Sequence, residues 1–277
     1  MKFNIDATTK GFLQKLGGMY VPFAVILVQL LAFLIGPSFL VSQNVARFPA
    51  DQFAKGMGIS AIMALAGILV AGIWGYFGSR DARSQLDHWR ASGDTITDPG
   101  KEASAWRNIN SLTLRFIPVS FAIFLIGQFL PVAGYLYLVH HISWNPIIYI
   151  LLATLACTIG GTALAVLILE ILLRPARQVL LPTKFEAQLQ GSGKFSLTLK
   201  LMGIAGALTF LSILLIGPIG YRHTLLAATS AETAGQTLLS FQVQSLLATL
   251  VMVVLGFLMA FLIVRALNEP IRSMINS

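Results

Sequence analysis

The sequence predicts an all-α, polytopic membrane protein: six transmembrane helices in three tandem helical hairpins (an internal triplication), with both termini in the cytoplasm. Three observations carry this. Charged residues are 11% of the chain, against roughly 25% in soluble domains, and hydrophobic residues are 56%. Residues 116–169 contain no Lys, Arg, Asp or Glu. A water-soluble fold of 277 residues could not cover its surface with so few charges. The third observation is an alternation of basic and non-basic connections between apolar runs.

The apolar runs are Met19–Phe39, Gly56–Phe77, Phe116–Val139, Pro146–Leu173, Leu199–Tyr221 and Leu246–Val264. Each is near the roughly 20 residues that a spanning helix needs. The first exceeds the about 7–15 residues of a signal-peptide core, and five more runs follow it. With the N-terminus inside, sixteen of the Lys and Arg residues fall on inner segments and only Arg47, Lys55 and Arg222 on outer ones. That is a positive-inside pattern, and it places the chain in the cell membrane. The net charge of +8 is then explained by topology and by attraction to anionic lipid, so nucleic acid is not an expected partner.

The hairpins, about 15–86, 112–181 and 199–265, keep register with one another. Arg83, Arg177 and Arg272 follow the even spans, and Gly67, Gly161 and Gly256 each precede one of these arginines by sixteen residues. Small residues recur at four-residue spacing around the glycines: Ala71 and Gly75, Cys157 and Ala165, and Ala260. Such a face lets helix backbones approach closely in lipid. Spans two, four and six are therefore expected to pack through these faces, around a pseudo-threefold centre or against a second protomer. Pro37, Pro131 and Pro218 lie near the outer ends of the odd spans and are expected kink or ligand positions.

Catalytic material is scarce. A single cysteine excludes a disulfide framework and a cysteine-rich metal site. No Walker-type phosphate loop is present, and Gly191-Ser192-Gly193-Lys194 reads as a flexible turn. The inner connections Ser79–Leu114 and Arg174–Leu199 read as loops too short for a further domain. Asp81, Asp87, Asp94, Asp98 and Glu102 are interleaved with Arg83, Arg90 and Lys101, as on a solvated, self-paired surface rather than a metal site. Glu170 is the one carboxylate inside an apolar run; a helical pair with Arg174 is expected over a proton path. His140, His141 and His223 follow odd spans, where interface histidines serve as headgroup anchors or, alternatively, as a metal or pH site. No catalytic, cofactor-binding or metal residue is assigned in this chain.

Beyond the last span comes Arg265-Ala266-Leu267-Asn268-Glu269-Pro270-Ile271-Arg272-Ser273-Met274. Leu267, Ile271 and Met274 have the spacing of a coiled-coil seam. The stretch 266–277 resembles the first helix of a HAMP module, with Pro270 and Arg272 as signal-transmission residues. Trp89-Arg90-Ala91-Ser92-Gly93 and Leu172-Leu173-Arg174-Pro175 are similar to stretches in the six-span anchors of HAMP-containing class III adenylate cyclases of the mycobacterial type. The resemblance implies that residues 1–265 are a non-catalytic sensor, anchor and dimerising region, acting as a homodimer in membrane lipid and receptive to a lipophilic ligand. It implies that ATP and two divalent metal ions belong only to a cyclase domain beyond Ser277. A stand-alone scaffold subunit and a small-solute transporter are the alternatives.

Overall fold

The computed structural model describes residues 5–44, 50–93, 98–142 and 144–181, with isolated positions between 206 and 260. The described residues are helical and include no strand. Four helical stretches are long and apolar enough to cross a membrane: Thr9–Phe33, Ala54–Gly78, Gly100–His140 and Ile150–Leu172. They overlap the first four expected spans. Apart from isolated helical positions, the fifth and sixth spans lie outside the described residues, as do Pro218, His223, Pro270 and Arg272.

Helix α1 (Ile5–Leu16) leads through a 3-10 turn, Gly17–Met19, into α2 (Tyr20–Asn44). Gly17 takes φ +56, a conformation glycine adopts without steric cost. Pro22 falls in the first turn of α2, where its missing N–H is not needed. Helix α3 (Ala50–Gly78) breaks at Ser79, whose hydroxyl donates to Gly75 O at 2.6 Å. Helix α4 (Arg80–Ser92) follows, turning Ala82, Gln85 and Leu86 inward and Arg80, Asp81, Asp87 and Arg90 outward. It ends at Gly93, with φ +82 and its N–H on Trp89 O at 2.8 Å.

Helix α5 (Pro99–Phe124) is capped by Asp98, whose carboxylate accepts Gly100 N–H at 3.0 Å, with proline at the first position. The inner connection Ser79–Leu114 is thus a helical hairpin and not the expected loop. Its helices carry too few apolar residues to register as an apolar run. A π-turn, Leu125–Phe129, joins α5 to α6 (Leu130–His140). His141 closes α6 with φ 50. Helix α7 (Trp144–Leu172) and the short α8 (Arg174–Val179) complete the continuous part.

Helix α2 is the central element: Val21, Val25, Val28 and Gln29 are fully buried. Both α3 and α7 pack first of all on α2, and α5 packs on α7. Of the most apolar stretch in each, 65% is buried in α7 and only 28% in α3, so α3 sits at the edge. Its outer face exposes Ile62, Leu65, Leu69 and Ile73, a contiguous apolar surface suited to lipid and not to water. Helices α1, α4, α8 and the start of α5 gather at one end of the bundle, here termed the basic end, where Leu86, Ile109, Leu112 and Leu173 form a fully buried core.

Candidate functional site

Polar side chains tie the described spans together at the basic end. Gly18 N–H, in the 3-10 turn that leads into α2, donates to Asp87 Oδ1 of α4 at 2.8 Å. A carboxylate at that position satisfies a free donor and meets the positive end of the helix dipole. The approach depends on glycine: a Cβ on Gly18 would lie 2.5 Å from Arg83 O, and one on Gly17 2.8 Å from Asp87 Oδ1. From α2, Tyr20 also donates its hydroxyl to Leu172 O, the last residue of α7, at 2.5 Å. Gly78 O, the last of α3, accepts from Asn108 Nδ2 at 2.9 Å and Arg115 Nη2 at 3.2 Å, both on α5. A cation there complements the negative end of the α3 dipole.

Arg177 on α8 completes the collar. Its Nη1 is 3.6 Å from Glu170 Oε1, and its Nη2 donates to Thr113 Oγ1 at 3.0 Å. Burial lowers its pKa, while the Glu170 carboxylate pushes the other way. Glu170 therefore holds an ion pair with Arg177 on α8, the helix that begins with its expected partner Arg174. The guanidinium of Arg83 lies 3.5 Å over the Tyr76 ring, tying the start of α4 to the end of α3.

A second polar group lies within the bundle. Ser60 of α3 donates to Gln128 Oε1 at 2.6 Å, and Gln128 Nε2 donates back to Ser60 O at 3.0 Å. Gln128 sits in the π-turn, three residues before Pro131. Proline offers no N–H to the carbonyl four residues earlier, and the wider turn shifts the hydrogen-bond register there: Leu130 N–H reaches Leu125 O. Ser120 of α5 and Thr162 of α7 share a hydrogen bond at 2.9 Å. Thr154 and Thr158 return their hydroxyls to the carbonyls four residues back. Gln29 on α2 is fully buried, and neither of its amide atoms has a hydrogen-bond partner.

The expected packing residues lie as follows. A Cβ on Gly67 would fall 2.6 Å from Ile123 Cγ2, and one on Gly75 3.1 Å from Val25 Cβ; Ala71 between them is fully buried. A Cβ on Gly161 would be 3.4 Å from Phe124 and 3.6 Å from Ala32, with Cys157 and Ala165 buried on the same helix. The small faces of spans two and four are thus filled by α2 and α5 side chains. Among the described residues, a Cβ on Gly256 would meet nothing within 4 Å, and Ala260 is exposed. Pro37 lies within α2 without ending it, and Pro131 opens α6.

Three of the acidic residues have separate neighbours: Asp81 accepts from Ser104, Asp87 from Gly18, and Asp98 caps α5 beside Lys101 at 4.0 Å; Asp94 lies outside the described residues. His140 Nε2 lies 3.1 Å from the Tyr135 hydroxyl, and Trp144 is exposed beside Tyr137. Sequence reasoning passed over Gln29, Ser60, Ser120 and Gln128 because it weighed only ionisable residues within the spans. The available signal was an amide or hydroxyl inside an otherwise apolar run. No protein-family model, curated protein or solved structure matches the chain.

Proposed function

We propose that this chain is the non-catalytic membrane sensor and anchor of a HAMP-linked signalling enzyme, with an adenylate cyclase as the output. The observation that carries the reading is the collar at the basic end. Each of the four described spans is hydrogen-bonded there to another span, and α4 and α8 are part of the same set. A tilt imposed on one span is therefore passed to its neighbours and to the short helices beyond the bilayer. In this reading the basic end faces the cytoplasm, six spans form three hairpins, and the chain acts as a homodimer. A lipophilic ligand is the input. ATP and divalent metal ions belong to the output, and no residue of this chain is assigned to them.

The test is the intact mass of the polypeptide made by its native host, with cyclic AMP formation from ATP in its membranes. The expected result is a mass well above 30.0 kDa, with cyclase activity. Asp87→Ala, which removes the Gly18 tie, is expected to lower that activity several-fold at equal membrane abundance. A 30.0 kDa product without cyclase activity overturns the reading.

A further inference from the structure

Among the described residues, two buried glutamines lie within the apolar spans, Gln29 and Gln128, and they differ in one respect. Gln128 has both amide atoms engaged by Ser60, as an interhelical fastener should. Gln29 has neither engaged, although its side chain is fully buried. Its amide carries one carbonyl acceptor and two N–H donors. In a hydrocarbon surrounding no solvent compensates for leaving them unused.

Neighbouring contacts fix the position of Gln29. One turn toward the basic end, Val25 lies 3.1 Å from a Cβ placed on Gly75. One turn the other way, Phe33 lies 4.8 Å from Phe124 between ring centroids and 3.1 Å from a Cβ placed on Gly67. Gln29 stands between them, at the level of Ala71 on α3. On α5 the same level is one turn before Phe124, which is Ser120. Ser120 is fully buried and bonded to Thr162 of α7. Three uncharged hydrogen-bonding side chains, from α2, α5 and α7, therefore share one depth. Glu170 and Arg177, the half-buried ion pair, lie nearer the basic end. A charged ligand at this depth would lack a counter-charge among the described residues.

We propose that Gln29, with the Ser120–Thr162 pair at its level, is a recognition site for the hydroxyl group of a neutral molecule. A hydroxyl matches the primary amide in both directions, donating to Oε1 and accepting from Nε2. A lipophilic alcohol supplies it with an apolar tail; a single water supplies the same chemistry without the tail. The site deepens the sensor reading and rests on it for its meaning, but binding is measured without any output, so each can fail alone.

The experiment follows thermal unfolding of the purified full chain in lipid nanodiscs. It compares 1-decanol with n-decane at equal mole fraction, in the wild type and in Gln29→Met, which keeps the side-chain volume. The expected result is a saturable rise of several degrees with decanol over decane, absent in Gln29→Met. No decanol-specific rise, together with a lower transition for Gln29→Met, assigns the hydroxyl to a held water. An equal decanol effect in both proteins overturns the proposal. So does the absence of a decanol effect with Gln29→Met unfolding at or above the wild type. Ser120→Ala is expected to shrink the decanol effect, and it serves as the variant if Gln29→Met gives no folded protein; an undiminished effect there also overturns the proposal.

Discussion

Glycine has opposite consequences at two positions seven residues apart. Gly11 lies in α1 with nothing within 4 Å of a Cβ, whereas a Cβ on Gly18 would meet the backbone carbonyl of Arg83 at 2.5 Å. A carbonyl in a helix cannot swing aside as the end of a flexible side chain can. Gly18→Ala is therefore expected to lower stability by about 1–3 kcal/mol through displacement of α4. Gly11→Ala, in a helix interior, is expected to raise it by roughly 0.5–1 kcal/mol. Reversible unfolding of the two purified variants in mixed micelles measures both. A neutral Gly18→Ala would mean that α4 does not bear on the start of α2.

At the scale of elements, the apolar runs were legible because lipid demands long, uncharged helices, and four of them coincide with described helices. The polar helices α4 and α5 were less so. Their boundaries are written in Gly93 and in the Asp98-Pro99 pair, signals of helix stop and start inside a segment that looks like a loop when only hydropathy is followed. The small residues of α3 and α7 were visible, but not what fills them, because every span is apolar enough to be any other's neighbour. That α2 is the central helix is a fact of shape. The π-turn was equally hidden: Pro131 signals a disturbed hydrogen-bond ladder but not how it is resolved. Its Gln128 fastens α3 to the turn through Ser60. In a double-mutant cycle, Ser60→Ala and Gln128→Leu are expected to show an interaction energy of about 0.6–1.7 kcal/mol, the range for hydrogen bonds between membrane helices. An energy near zero would make the pair incidental.

At the scale of the whole molecule, the proposed reading turns on the direction in which the four candidate spans would cross a bilayer. Cys157 is the sole cysteine of the chain and is buried, so it can be removed as Cys157→Ala. On that background, Ser92→Cys at the basic end and Trp144→Cys at the opposite end place single thiols at exposed positions. A membrane-impermeant maleimide added to intact cells is expected to label Trp144→Cys and spare Ser92→Cys. Inverted vesicles are expected to give the reverse. The opposite pattern would invert the proposed orientation, and with it the side on which α4 and α8 act.

The bond between Tyr20 and Leu172 O also imposes an order of events during synthesis. Its partners are 152 residues apart, whereas Gly18 and Asp87 are separated by 69. The first hairpin and its α4 strap can close as soon as Asp87 emerges. Helix α2, whose inner face is completed by α7, then stays half-covered while the ribosome makes the rest. At about 5–20 residues per second that interval is on the order of ten seconds. Throughout it, a helix destined for the middle of the bundle stands at its rim, and whatever membrane insertase or lipid meets the nascent chain must shelter Gln29 until Leu172 arrives.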